Sequence, residues 1–373
     1  MRYVIFNLVV MLTYSCSAQN ALCDKSATAE TVVLYNNLVK LTQKGIMFGH
    51  QDDLAYGVNW KYEKDRSDVK DAIGDYPAVY GWDLGGLEKD SDKNIDGIPF
   101  SDMRRFIQEG KIRGGIITMS WHMDNPFTGK NAWDTTPNSL ASVLPGGSKH
   151  DVFKVWLDKA AVYLNSLTDD QGKKIPMLFR PYHELTGTWF WWCKNNGTPD
   201  QFKALWKFTM SYLQSKNVHQ LIYVYNTSDF KDKADFLEYY PGDDAADMLS
   251  FDCYQMKSSA EDPFVKNTLR QLHDMDEIAL QKKKPIAIAE TGFEAIPEPK
   301  WWTQTLLKAI GDYKLSYVLV WRNHGWNEYM DPPRMHYYAP FKGQVSQQDF
   351  IDFYKTGHIL FEKDVAKQKL YGN

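Results

Sequence analysis

The sequence predicts an α/β fold, a (β/α)8 TIM barrel folded as a single domain. Three observations predict it. Short apolar, β-rich runs alternate with longer helical patterns, the signature of parallel βαβ units. Eight such runs occur, enough to close a ring rather than leave an open sheet. Nearly every run ends, at its C-terminal edge, in His, Asp, Glu, Arg, Trp or Asn. That edge is the active-site face of such a barrel.

The runs follow in order. The first is Ile46-Met47-Phe48. The second is Ala78-Val79-Tyr80, ending in Gly81-Trp82-Asp83. The third runs from Gly115 to Met119 and ends in Ser120-Trp121-His122. The fourth, Ile175 to Phe179, leads into Arg180 through Glu184, and the fifth, Leu221 to Tyr225, ends in Asn226. The sixth, Met248 to Phe251, leads into Asp252 through Gln255. The seventh, Pro285 to Ala289, ends in Glu290. The eighth, Tyr317 to Val320, ends in Trp321-Arg322-Asn323. Between them lie helical spacings. Thr31 to Lys44 carries Val33, Leu34, Leu38 and Leu41 on one face. Asp151 to Leu167 does the same with Phe153, Trp156, Leu157, Ala160 and Leu164. Pro199-Asp200 opens a helix before the fifth run, and Trp301 to Ile310 covers the eighth.

Length and composition agree with this fold. A barrel takes roughly 250 residues and reaches about 400 with insertions, and this chain has 373. Its 43 basic and 47 acidic residues form no basic block, so a nucleic-acid partner is not expected. Thirteen tryptophans exceed what a core needs and leave some for a binding cleft. The N-terminus reads as an export signal: Arg2, then Val4 to Leu12, apolar except for Asn7 and too short to span a bilayer, then small and polar residues. Residues 1–18 form the signal if cleavage follows Ala18. The alternative is a lipoprotein signal ending before Cys16, because Leu12-Thr13-Tyr14-Ser15-Cys16 resembles a lipobox and would anchor the protein to a membrane. Either route places a monomer, with its catalytic barrel over 24–373, outside the cytoplasm, in the periplasm or at the cell envelope. Cys23, Cys193 and Cys253 are widely spaced and contain no C-x-x-C, so no metal framework is expected, and one disulfide is left open.

Two rim carboxylates suggest the chemistry. Glycoside hydrolysis uses one protonated and one ionised carboxyl flanking the bond to be cut. Glu184 and Glu290 end the fourth and seventh runs, three steps apart on an eight-membered ring, and can point across one mouth. Trp189, Phe190, Trp191 and Trp192 follow Glu184 closely. Such rings offer flat faces to sugar C–H groups, and an apolar wall raises a carboxyl's pKa, as a general acid requires.

At this point the sequence resembles glycoside hydrolase family 26, the β-mannanase family. Gly49-His50-Gln51, Trp121-His122, Arg180-Pro181-Tyr182-His183-Glu184, Asp252-Cys253-Tyr254, Ala289-Glu290-Thr291-Gly292 and Trp321-Arg322 occur in that family's order. The stretch from His336-Tyr337-Tyr338-Ala339-Pro340 to Asp349-Phe350-Ile351-Asp352-Phe353 resembles its C-terminal helix, so the likeness runs from about residue 30 to the end. The resemblance implies retaining cleavage of β-1,4-mannan without a cofactor, Glu184 serving as acid/base and Glu290 as nucleophile. It implies that His122 and His183 line the subsite where the bond breaks, that Tyr254 hydrogen-bonds the nucleophile, and that Trp189 and Trp321 are aromatic platforms. Arg322 would grip the next sugar, with Asp252 and His50 at supporting positions.

Other chemistries lack their residues. No Gly-x-Ser-x-Gly elbow occurs, Gly81 to Gly86 lacks a phosphate loop's lysine and spacing, and no His-Glu-x-x-His is present. Two rivals stay open: a related hydrolase of mixed-linkage β-glucan or β-1,3-xylan, and a glycan-binding barrel without catalysis. The long segments from Phe127 to His150 and from Asn323 to Pro340 map to no fixed family pattern, so internal cutting and release from a chain end are both open.

Overall fold

The computed structural model describes residues 22–372. The export-signal reading and Cys16 lie outside the described residues. Eight parallel strands form the barrel: β1 (Ile46–Gln51), β2 (Val79–Asp83), β3 (Ile116–Trp121), β4 (Met177–Pro181), β5 (Leu221–Thr227), β6 (Met248–Gln255), β7 (Ile286–Phe293) and β8 (Leu315–Val320). Each pairs with its sequence neighbour, and β8 returns to β1 through Met47 opposite Tyr317 and His50 opposite Val320. The ring is closed, so it leaves no open edge.

All eight apolar runs become strands. Several strands continue further toward the rim than their apolar stretch, most of all β6 and β7. The ladder of backbone hydrogen bonds carries on after the inward side chains turn polar, and hydropathy does not register that continuation.

Two apolar layers hold the ring. Met47, Val79, Ile116, Leu178, Ile222, Met248, Ala287 and Leu319 belong to an inner cluster, together with Leu34, Leu38 and Leu41 of helix α1 (Ala29–Leu41). Helix α1 touches both β5 and β8, so it lies across the bottom mouth and plugs it. The outer layer packs helices against the strands' other face. It includes α2 (Phe100–Ile112), α3 (His150–Ser166), α4 (Pro199–Ser215) and α5 (Phe264–Lys282). The expected opening of α4 is fixed by a capping box, Thr198 with Gln201, ahead of Pro199. The expected helix at Trp301–Ile310 begins as a π turn over Trp302–Leu306 and continues as an α-turn to Ile310. Cys23, Cys193 and Cys253 are all free thiols.

With its bottom plugged, the barrel is open to ligands at the other mouth, where the polar rim residues gather.

Candidate active site

The first rim carboxylate sits on an unusual stretch of backbone. After β4 ends, Tyr182 and Glu184 both take left-handed conformations, with φ of 54° and 55°. For residues with a Cβ this costs about 1–3 kcal/mol each. The surroundings offset that cost. Tyr182 turns outward into the helix layer, where its hydroxyl meets Thr209 Oγ1 of α4 at 2.7 Å. His183 and Glu184 are left on the cleft side. The backbone N–H of Glu184 donates to Asn226 Oδ1 at 2.7 Å, and Trp192 Nε1 donates to the His183 carbonyl at 2.8 Å.

The second carboxylate depends on an irregularity between strands. Phe251 stands opposite Ile288, yet Asp252 stands opposite Glu290. Strand β7 therefore holds one residue more than β6 at this point, and the side-chain alternation slips by one. Neighbours across the ladder share a face, so Glu290 turns inward beside Asp252. There the Arg180 guanidinium donates to both: Nη1 to Asp252 Oδ2 at 2.8 Å and Nη2 to Glu290 Oε1. Tyr254 Oη donates to Glu290 Oε2 at 2.9 Å. Both Glu290 oxygens thus accept hydrogen bonds from fixed donors, which hold the carboxyl group in one orientation.

Glu184 lives in a different environment. Burial, and after it the negative charge of Glu290, push its carboxyl up to about 7, while the Trp189 indole N–H, donating at 2.5 Å, pulls the other way. Each of Glu184, Asp252 and Glu290 offers an oxygen within 4.8 Å of the others, the one such grouping among the described residues. These are the residues that could hold a cation, but Arg180 already places a positive charge on two of them.

Behind the carboxylates lies a histidine pair. His122 Nδ1 and Asp83 Oδ2 are 2.8 Å apart, and the His122 backbone N–H also donates to Asp83. Burial alone would raise Asp83, but the His122 charge and its hydrogen-bond donors hold it down at about 2. Burial likewise disfavours a charged His122, and Asp83 outweighs it, so the imidazole is shifted upward. His183 is pushed well below its usual range by burial and by the positive charges of His122 and Arg180. The two Nε2 atoms are 3.1 Å apart, so one ring donates to the other.

The carboxylates open into a cleft of about 430 Å³. His122, Trp189, Tyr254 and Trp321 line it with Glu184 and Glu290. His183 and Asp252 lie just beneath, buried and bonded to lining residues or to Arg180. Arg322 is not in the lining. It is held against Asp96 at 3.2 Å and donates to Tyr56 Oη at 3.2 Å. His50 is not in the lining either; it is buried, with Nδ1 2.6 Å from Asp53 Oδ1. The aromatic run divides: Trp189 is 40% exposed, whereas Trp191 and Trp192 are core. Sequence reasoning did not select several residues that build the site. Trp133, 48% exposed, stacks on His122 at 5.4 Å. Met330, Arg334, His336 and Tyr338 form the opposite wall, from the segment after β8. Asp83, Arg180 and Asn226 hold the machinery from below; each was visible as a polar residue at a strand's end, and Arg180 also opens the family-like stretch to Glu184.

A closed parallel barrel whose C-terminal mouth pairs two carboxylates between aromatic walls is the architecture of a glycoside hydrolase. The family model described as glycosyl hydrolase family 26 matches residues 23–327, and the chain belongs to that family. Among solved structures, it is similar to a GH26 β-mannanase from Bacteroides ovatus, with 44% identity and a TM-score of 0.86, covering 90% of this chain and 96% of that one. It is also similar to the catalytic domain of the GH26 endo-β-1,4-mannanase of Bacillus sp. JAMB-750, at 29% identity and TM-score 0.85, covering 94% and 96%. A mannan endo-1,4-β-mannosidase of Bifidobacterium adolescentis is 30% identical over 91% of this chain; the match spans only 35% of that relative's length.

Proposed function

We propose that this protein is a retaining β-mannanase, hydrolysing β-1,4-mannosidic bonds by double displacement. The observation that carries the retaining reading is the approach of Glu184 and Glu290 to within 4.8 Å, oxygen to oxygen. Retaining enzymes hold their carboxyls about 5–5.5 Å apart, whereas inverting ones leave about 6.5–9.5 Å for a water. The substrate follows from the relatives, two of them mannanases matched across nearly their whole solved chains.

In this mechanism Glu290, ionised and oriented by Arg180 and Tyr254, attacks the anomeric carbon. Glu184, protonated through its raised pKa, gives its proton to the departing sugar oxygen. A covalent glycosyl-enzyme forms on Glu290. Glu184, now a base, takes a proton from water, the water attacks the same carbon, and the β configuration is kept. Trp189, Trp321 and Trp133 offer ring faces to sugars in the cleft, and His122 and His183 offer polar edges. None of these steps calls for a cofactor. The apolar Val4 to Leu12 run supports an exported enzyme acting on glycan outside the cytoplasm, by cleavage after Ala18 or lipidation at Cys16.

The test is turnover on mannan by Glu290→Ala and Glu184→Ala, with product anomers followed by proton NMR. Loss of turnover in both folded variants, azide rescue of Glu184→Ala on an activated aryl mannoside, and β product from the wild type are expected. Wild-type release of the α anomer, or undiminished activity in either variant, would overturn the reading.

A further inference from the structure

Asn226 touches neither cleft nor solvent, yet its side chain joins the two halves of the site. It is fully buried at the end of β5, facing Ser250 across the β5–β6 ladder. Every hydrogen-bonding group of its carboxamide that geometry can reach is used. Oδ1 accepts the Glu184 backbone N–H at 2.7 Å. Nδ2 donates to Ser250 Oγ at 2.9 Å and to Asp252 Oδ1 at 2.8 Å. The orientation of the amide is determined by its partners, because a backbone N–H can only donate. Asp252 then accepts from Arg180, which donates to Glu290. Burial pushes the Asp252 carboxyl well upward and Arg180 pulls against it. Both its oxygens nonetheless accept from nitrogen donors, the pattern of an ionised carboxylate. An unbroken chain of hydrogen bonds therefore runs from the backbone of Glu184 to the carboxylate of Glu290, and Asn226 is its one neutral link.

We infer that Asn226 is a positioning residue that sets the spacing of Glu184 from Glu290. The inference rests on the reading of those two as acid/base and nucleophile. Its physical basis is the left-handed backbone at Glu184. A glutamate leaves that conformation unless its surroundings hold it, and the acceptor on its own N–H is the closest restraint. The two ends of the amide do separate work. Oδ1 holds Glu184. Nδ2 holds Asp252 and, through Arg180, Glu290.

This division gives a test that a merely structural asparagine would fail. Protonation by Glu184 matters for a sugar leaving group and hardly at all for dinitrophenolate. Asn226→Ala should lose about 100-fold in kcat on mannan, the lower range for losing a positioned acid, with KM changed little. On dinitrophenyl β-mannobioside the loss in kcat/KM, which reads glycosylation alone, should be about tenfold or less, while kcat falls further because Glu184 is also the base of deglycosylation. The charged groups facing the Glu184 carboxyl are Glu290, Asp252, His122 and Arg180, with the Tyr254 hydroxyl beside them. Once Glu184 is free to move from Glu290, their repulsion weakens, and the upper limb of the pH profile should move to lower pH. The isosteric Asn226→Asp keeps the acceptor for Glu184 and loses the donor to Asp252. It should slow both substrates by similar factors, and it supplies the comparison if Asn226→Ala folds poorly. Equal losses of kcat/KM on both substrates in Asn226→Ala, with an unmoved pH limb, would overturn the inference, as would an aspartate variant whose kcat/KM falls selectively on mannan. Wild-type turnover on mannan is measured in the same series. Its absence would reject the parent reading and this inference together, while its presence isolates the role of Asn226.

Discussion

The indole N–H of Trp189 donates to Oε2 of Glu184 at 2.5 Å, so one ring both presents a face to the cleft and contacts the proposed acid. The hydrogen bond favours the ionised carboxyl, against burial and Glu290, which favour the protonated one. Replacing Trp189 with Phe keeps an aromatic ring and removes the donor. The upper limb of kcat/KM against pH should then move up by about one pH unit, the worth of a hydrogen bond to a charged group. A pH–rate profile on a soluble manno-oligosaccharide measures this, and a downward shift would contradict the arrangement described.

The like charge of Glu290 helps raise Glu184. Glu290→Gln removes it while keeping shape. The Glu184 carboxyl should then titrate at lower pH than in the wild type. Carbon NMR of side-chain-labelled glutamate reads this without need of activity. An unchanged or higher midpoint would mean that the two carboxyls do not sense each other.

Glu184 should also limit stability. Its folded pKa is raised, from 4.5 to about 7, so the folded state binds a proton that the unfolded state releases. Stability therefore falls as pH rises through that window and stays reduced above it. Glu184→Gln should melt a few degrees higher than the wild type at about pH 8, with the gain disappearing near about pH 4. Calorimetry at the two pH values decides it; a gain of equal size at both would point to packing instead.

Gly292 follows Glu290 by two residues with φ of 149°, and a Cβ built there would lie 2.3 Å from Cδ1 of Tyr338. Tyr338 packs edge-on to Tyr254 at 5.7 Å, and Tyr254 holds Glu290. Gly292→Ala should cost about 1–3 kcal/mol of stability and lower kcat as the clash passes to the nucleophile. Adding Tyr338→Ala should return part of the stability, a non-additivity that urea denaturation of the double variant would detect.

The barrel was legible in the sequence because each buried parallel strand must be apolar nearly throughout. Its eight runs announce themselves without knowledge of the neighbours. Glu290 directly follows such a run, a weak sign by itself because rim salt bridges look the same; its pairing with Glu184, five residues past the end of another run, gave both carboxyls weight. What local pattern could not convey was anything depending on register. Nothing near Ala289 marks the extra residue that turns Glu290 inward, since a bulge exists only relative to the partner strand. Asn226 reads as one more polar strand end until Glu184 is placed against it. Trp189 and Trp191 are equally tryptophan in sequence, and only the fold puts one in the cleft and the other in the core. His50 and Arg322 lie at rim positions, but Asp53 engages the first, and Asp96 and Tyr56 the second, contacts supplied by neighbouring loops.

The slipped alternation in β7 has an evolutionary corollary. With these side chains and an unslipped ladder, Glu290 would stand opposite Cys253 and face the helix layer. Losing Ala289 would instead close the irregularity and restore ordinary alternation, with the carboxyl still opposite Asp252. Within this scaffold, the inward aim of the proposed nucleophile tolerates the loss of one codon there, but not a change of pairing.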